Sequence, residues 1–118
     1  MSNSAKHIKT GNQGEDFAYQ YLIHHGHQIL ETNWRYEKGE IDLISIYDSF
    51  LVITEVKTRT TNKYGEPHED VGEKKQEKLI DTAVAYCEQK EIDLELRFDI
   101  ISIVLEPKVL IEHIVDAF

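Results

Sequence analysis

The chemistry available to this chain is concentrated in two short runs, Gly39-Glu40-Ile41-Asp42 and Glu55-Val56-Lys57. Both sit inside β-branched and aliphatic stretches, 39–47 and 50–57, with Asp48-Ser49 between them as a turn. An even turn centred there sets Tyr47 opposite Phe50, Ile44 opposite Ile53, Asp42 opposite Glu55 and Glu40 opposite Lys57. Side chains alternate along a strand, so these residues share one sheet face. Directly opposed Cβ atoms of an antiparallel pair lie about 4.5–5.5 Å apart, where like charges repel. Asp42 and Glu55 therefore require a proton or a cation between them. A hard divalent cation, Mg²⁺ or Mn²⁺, suits carboxylate oxygens, and the Val56 carbonyl is a further candidate ligand. Lys57 is placed to orient a water or to stabilise developing negative charge. The spacing points to metal-assisted hydrolysis. Asp-Ser is not the Asn-Gly pair that two-residue turns favour, and an odd loop would separate the two carboxylates.

The surrounding elements must bring these groups together. Residues 5–25 read as an amphipathic helix with Phe17, Ala18, Tyr21 and Leu22 at helical spacing and Gly26 at its end. Glu15 lies on the apolar stripe, as does Gly11, so Glu15 points inward. A short strand at 28–33 leads into the 39–47 run. Residues 59–72 form a loop rich in Thr, Asn, Gly and Pro, and a loop of that length in so small a domain is usually functional or mobile. A second helix at 73–90 has Leu79, Ile80, Ala83, Val84 and Cys87 as its stripe. Strands at 98–105 and 109–115 meet at Glu106-Pro107-Lys108. The order αβββαβ(β) implies an α/β domain over 1–118 whose mixed central sheet holds at least one parallel pair and is flanked by helices.

The pattern of Gly39-Glu40-Ile41-Asp42, with Glu55-Val56-Lys57 thirteen residues after Asp42, resembles the PD-(D/E)xK motif of restriction-endonuclease-like nucleases. Gly14-Glu15, Asn33, Arg59, Tyr64-Gly65, Lys75-Gln76, Arg97-Phe98-Asp99 and Asp116-Ala117-Phe118 extend the resemblance over nearly the whole chain, to the bacterial YraN-like family. The chain is also similar to archaeal Holliday-junction resolvases, in which a glutamate of the first helix joins the Asp and the E-x-K pair. The resemblance implies a restriction-endonuclease-like αβββαβ core, with Glu15, Asp42 and Glu55 as metal ligands and Asp42, Glu55 and Lys57 as the catalytic set. Ile41 stands where many members of the superfamily have proline.

Charge argues against one class of partner use. Thirteen Lys and Arg face 22 Asp and Glu in 118 residues, a net charge of −9. Gripping duplex DNA by bulk electrostatics needs clustered bases, and the only run of several bases without an acid is Lys57, Arg59 and Lys63. Arg59, Lys63, Lys75 and Gln76 are the candidate nucleic-acid contacts, with Trp34, Arg35 and Tyr36 as stacking candidates. Lys74, Lys75 and Lys78 alternate with Glu73 and Glu77, the pattern of a charged helix face. His24, His25 and His27 diverge around a helix with no cysteine near, and read as a solvated face instead of a zinc site. Glu40 reads as the structural partner of Lys57, Arg97 and Asp99 as structural contacts, and Cys87 as buried. A single cysteine excludes an internal disulfide framework and, with no membrane-length apolar run or signal-peptide pattern, suggests the cytoplasm and no membrane. The expectation is a Mg²⁺- or Mn²⁺-dependent endonuclease acting on DNA, branched or single-stranded, with a homodimer compatible. A non-catalytic nucleic-acid- or partner-binding module and a hydrolase of small phosphorylated substrates are the alternatives.

Overall fold

The computed structural model describes residues 2–61 and 71–118, with side chains from Asn12 onward. Its elements run α1 (Ser2–His24), β1 (Gln28–Tyr36), β2 (Gly39–Tyr47), β3 (Phe50–Arg59), α2 (Glu73–Lys90), β4 (Glu95–Val104) and β5 (Leu110–Ile114). The strands form one sheet in the order β1-β2-β3-β4-β5. Only β3 and β4 are parallel, and α2 lies between them in sequence as the crossover. This is the restriction-endonuclease-like αβββαβ core that the sequence implies. Among the described residues no helix is long and apolar enough to cross a membrane.

The β2–β3 hairpin has the expected register: Tyr47 opposes Phe50, Ile44 opposes Ile53, and the last pair is Leu43 with Thr54. Asp48, at φ +51°, supplies the left-handed residue that a tight hairpin turn needs. The isoleucines, leucines and valines of these strands divide between two cores. Ile44, Ile53, Phe98 and Ile100 pack with Leu79, Ala83 and Tyr86 of α2. Leu43, Ile101 and Ile103 pack with Ala18 and Leu22 of α1. Each such side chain taken from water contributes about 1.5–3 kcal/mol. β4 is buried from Arg97 to Val104, as a strand covered on both faces must be.

The structure turns α2 relative to its expected stripe. Leu79, Thr82, Ala83 and Tyr86 face inward, while Ile80 and Val84 are exposed. Contacts with the sheet select the inward face: Thr82, its hydroxyl donating within the helix to the Lys78 carbonyl at 2.7 Å, packs against Gly39, and the Tyr86 hydroxyl donates to Glu31 at 3.1 Å. His27 is a second correction. His24 and His25 are exposed, but His27 lies past the end of the helix, just before β1, and is buried. Its Nδ1 lies 2.9 Å from Ser45 Oγ and its ring stacks on Tyr47 at 4.4 Å. Burial, with the charge of Arg97 adding to it, lowers its pKa to about 4.

Arg97 and Asp99 make the structural contacts expected of them. Arg97 Nε and Nη2 donate to Asp99 at 3.0 and 2.8 Å, His113 Nε2 lies 2.7 Å from the same carboxylate, and the Asp116 N–H donates at 3.1 Å. Burial alone would raise Asp99; these donors outweigh it and hold the carboxyl below its ordinary value.

Two close approaches set the helices on the sheet. A Cβ at Gly14 would collide with the Thr58 side chain of β3, and one at Gly39 would collide with Thr82 of α2. Gly14→Ala should therefore destabilise the protein by roughly 1–3 kcal/mol, the usual cost of overpacking, and Gly14→Ala/Thr58→Ala should recover part of it. Chemical denaturation of the two variants checks this; equal stability of wild type and Gly14→Ala would remove the close approach as a constraint.

Candidate active site

Asp42 sits where β2 and β3 part. Beyond Leu43 and Thr54 the ladder stops, and Asp42 Oδ2 instead accepts the Val56 N–H at 2.8 Å. The simple alternation that puts Asp42 flat on one face breaks here. Ile44 and Ile41 both join the α2-side core, while Leu43 joins the α1-side core. On the other flank, Asn33 of β1 adopts φ +51° and drops out of the register between Thr32–Leu43 and Trp34–Ile41. Asp42 is thereby turned toward the backbone of β3 and lines hollows on both sides of the sheet. One, about 310 Å³, is shared with Glu15 and Asn33. The other, about 260 Å³, is shared with Glu55, Lys75 and Lys38.

Glu55 projects on the α2 side with Ile53, from a strand whose hydrophobic neighbours leave its residue only 8% exposed. Two ammonium groups reach it: Lys75 Nζ lies 2.6 Å from Glu55 Oε1 and Lys57 Nζ lies 3.7 Å from the same oxygen. Burial on its own would lower the Lys75 pKa; the hydrogen bond to Glu55, the contact with Lys57 and the charges of Glu55 and Asp42 together outweigh it and leave the lysine raised. Glu15 is half-buried, one residue past the Gly14 contact that presses α1 onto β3. With its amide nitrogen turned toward the acids, Asn33 donates to Glu15 Oε1 at 3.2 Å and to Glu40 Oε1 at 3.3 Å.

The acids interact electrically. Burial first, and the charge of Glu55 next, push Asp42 from 3.8 up to about 7 against the opposing pull of the Val56 N–H. Glu15 and Glu40 add smaller upward pushes. Glu15 is itself raised, first by burial, with the bond from Asn33 acting against it and the charge of Glu40 with it. The site thus holds more negative charge than its protein partners neutralise.

The structure brings Glu15, Asp42, Glu55, Lys57 and Lys75 into one neighbourhood. Glu40 pairs across the β1–β2 ladder with Arg35, whose Nη2 lies 3.5 Å away. Gln76 spends its side-chain amide on the Val71 carbonyl at 2.9 Å, holding the entry to α2. Arg59 ends β3, two residues beyond Lys57, and its carbonyl accepts the Leu105 N–H at 3.0 Å. Lys63, Tyr64, Gly65 and His68 lie outside the described residues. Trp34 is half-buried against Tyr86, with the exposed Tyr36 stacked parallel to it at 6.1 Å. Sequence reasoning missed the bond of Asp42 to Val56 and the hold of Lys75 on Glu55. Asn33 was visible only as a mark of resemblance, although asparagine is among the few residues that accept a left-handed backbone readily.

Among the described residues no three His, Cys, Asp or Glu side chains converge as a ready-made metal cluster. The donor set nevertheless fits a hard cation that keeps most of its waters. Such an ion needs one or two carboxylates, and Asp42 and Glu55 line one hollow where the charge of Glu55 acts on Asp42.

A model of the uncharacterised protein family UPF0102 matches residues 14–103. A UPF0102 protein of Christiangramia forsetii is 42% identical over 115 residues, covering 97% of each chain. Another from Flavobacterium psychrophilum is 43% identical over 115 residues, again covering 97% of each. A third, from Caldanaerobacter subterraneus subsp. tengcongensis, is 42% identical over 113 residues, covering 92% of this chain and 93% of the relative. The matched span contains Glu15, Asp42, Glu55, Lys57 and Lys75.

The raised Asp42 pKa fixes the sign of a pH effect. Between its unfolded value near 3.8 and its folded value of about 7, the folded protein binds the extra proton, so Asp42 costs stability as pH rises through that window. In chelator, Asp42→Asn should melt roughly 4 °C or more above wild type at pH 8, the shift that about 1 kcal/mol produces in a small domain, with a smaller difference at pH 4. Melting curves at the two pH values check this; a variant that melts below wild type at pH 8 would contradict it.

Proposed function

This chain belongs to the uncharacterised protein family UPF0102, the YraN family, and we propose that it is a divalent-metal-dependent endonuclease hydrolysing phosphodiester bonds in DNA. The observation that carries the reading is the pair Asp42 and Glu55, which line one hollow where two strands part, with Asp42 pushed up to about 7 by burial and by Glu55. A Mg²⁺ or Mn²⁺ ion held by these two acids, with Glu15 beside Asp42, would supply charge neutralisation at the phosphate and a more acidic water. The protein's own groups have distinct tasks. The Val56 N–H orients Asp42. Asn33 holds Glu15 and Glu40. Lys57 places an ammonium next to Glu55, where it can stabilise charge developing on the phosphate.

The substrate follows from charge. With a net charge of −9 the chain has little basic surface to grip a rod of duplex, so branched or single-stranded DNA suits it better. Lys75 and Lys38 border the hollow beside Asp42 and Glu55, and Arg59 lies further along β3. Binding should be weak and should weaken further with salt.

Cleavage of a panel of labelled DNA structures, with Mg²⁺ or Mn²⁺ and with chelator, tests the reading. Branched or single-stranded DNA should be cut with metal and spared in chelator. Lys57→Ala should lose about 10²-fold or more in rate while keeping metal binding, because it removes a charge-stabilising group and not a ligand. Glu55→Gln should lose both. If no DNA is cut, or Lys57→Ala cuts as wild type does, the nuclease reading fails and a non-catalytic binding module takes its place.

A further inference from the structure

Lys75 occupies an unfavourable place for a lysine. It lies in the first turn of α2, at the positive end of the helix, next to Lys74. Gly72, the residue capping that end, makes no side-chain capping bond. Helix preference therefore does not account for the position of Lys75, whereas the 2.6 Å contact with the buried Glu55 does. The two lysines on Glu55 also differ in freedom. The Lys57 side chain is 20% exposed and hangs from the strand of Glu55 itself, while the Lys75 side chain is 42% exposed and reaches in from the rim of the hollow.

We propose that Lys75 is the resident counter-ion of Glu55, displaced when a divalent cation binds, so that loading the site and releasing the Lys75 ammonium toward an incoming phosphate are one event. The inference rests on the metal-dependent reading above and adds a role that reading does not need. A doubly charged ion cannot share Glu55 Oε1 with an ammonium at hydrogen-bonding distance without strong repulsion. Lys75 can leave by rotation of its four-carbon arm into solvent, at little cost to packing. Each acid has a protein partner in this arrangement: Glu55 has Lys75, Asp42 the Val56 N–H and Glu15 both Asn33 and Asp42. In this account the ammonium protects the empty site from its own charge and competes with the cation.

The test is Mn²⁺ affinity at pH 7.5, by calorimetry and by the paramagnetic resonance of free ion, for wild type, Lys75→Met, Lys75→Gln, Lys75→Arg and Asp42→Asn. Removing a competing charge should tighten Mn²⁺ binding by at least about fivefold in Lys75→Met and Lys75→Gln, the lower range of measured coupling between sites. Lys75→Arg, which keeps the charge, should bind no tighter than wild type. Without metal Lys75→Met should melt below wild type, and Mn²⁺ should raise its melting temperature more than that of wild type. A merely structural salt bridge predicts equal or weaker Mn²⁺ binding after its removal. That result, with binding by wild type still abolished in Asp42→Asn, overturns the inference and leaves the metal site standing. Absence of Mn²⁺ binding in all five proteins overturns both.

Discussion

Two carboxyl groups held close in a half-dry setting constrain everything else in this molecule. Asp42 and Glu55 line one hollow where the β2–β3 ladder ends, and burial first, then the charge of Glu55, pushes the Asp42 carboxyl up to about 7. Nothing about an αβββαβ fold requires acids at that point. The fold would be more stable with apolar side chains there, since buried charge without full compensation is costly. The surrounding structure serves to hold the pair despite its repulsion: the Val56 N–H fixes Asp42, Lys75 and Lys57 neutralise Glu55, and Asn33 ties Glu15 and Glu40. Gly14 and Gly39 let α1 and α2 come near enough to supply Glu15 and Lys75.

The α1 side of the same sheet shows the opposite treatment of a buried acid. Asp99 is deeper than Asp42, yet it is held below its ordinary pKa because Arg97, His113 and the Asp116 N–H all donate to it. Arg97 lies over the rings of Tyr47 and Phe50 at 5.6 and 5.4 Å, which fastens the hairpin end of the sheet. One carboxylate is given every donor it can use, and the other is left short of them. A network that is satisfied stabilises the fold; one left short of positive charge is a place for a ligand to act.

The sequence made the hairpin legible because a two-residue turn fixes the pairs from Tyr47–Phe50 to Leu43–Thr54; the counted pair Asp42–Glu55 lies just past the end of that ladder, where Asp42 takes the Val56 N–H instead. The inward placement of Glu15 followed from helical spacing with Ala18 and Leu22 in the same way. What could not be counted were effects of distant packing. Asp42 leaves the simple alternation because Asn33, nine residues earlier, takes a left-handed backbone beside it. Lys75 looked like one charge of a solvated helix face until α2 was set across the sheet. Ile80 and Val84 looked buried, but Thr82 packs against Gly39 and Tyr86 bonds Glu31, and these residues took the inward face. His27 looked like its exposed neighbours because sequence adjacency hides the end of α1 between them. Local periodicity carried the elements, while the polar contacts between elements decided how the site is charged.

The central claim is that Asp42 and Glu55 share one electrostatic environment with too little positive charge. Carbon-detected resonance of the side-chain carboxyls, followed from pH 3 to pH 9 in metal-free protein, measures this directly. The account predicts that Asp42 titrates near 7, that its curve changes when Glu55 is replaced by glutamine, and that it falls toward ordinary carboxylate values in that variant. An Asp42 carboxyl that titrates near 4 in wild type and ignores Glu55→Gln would contradict it.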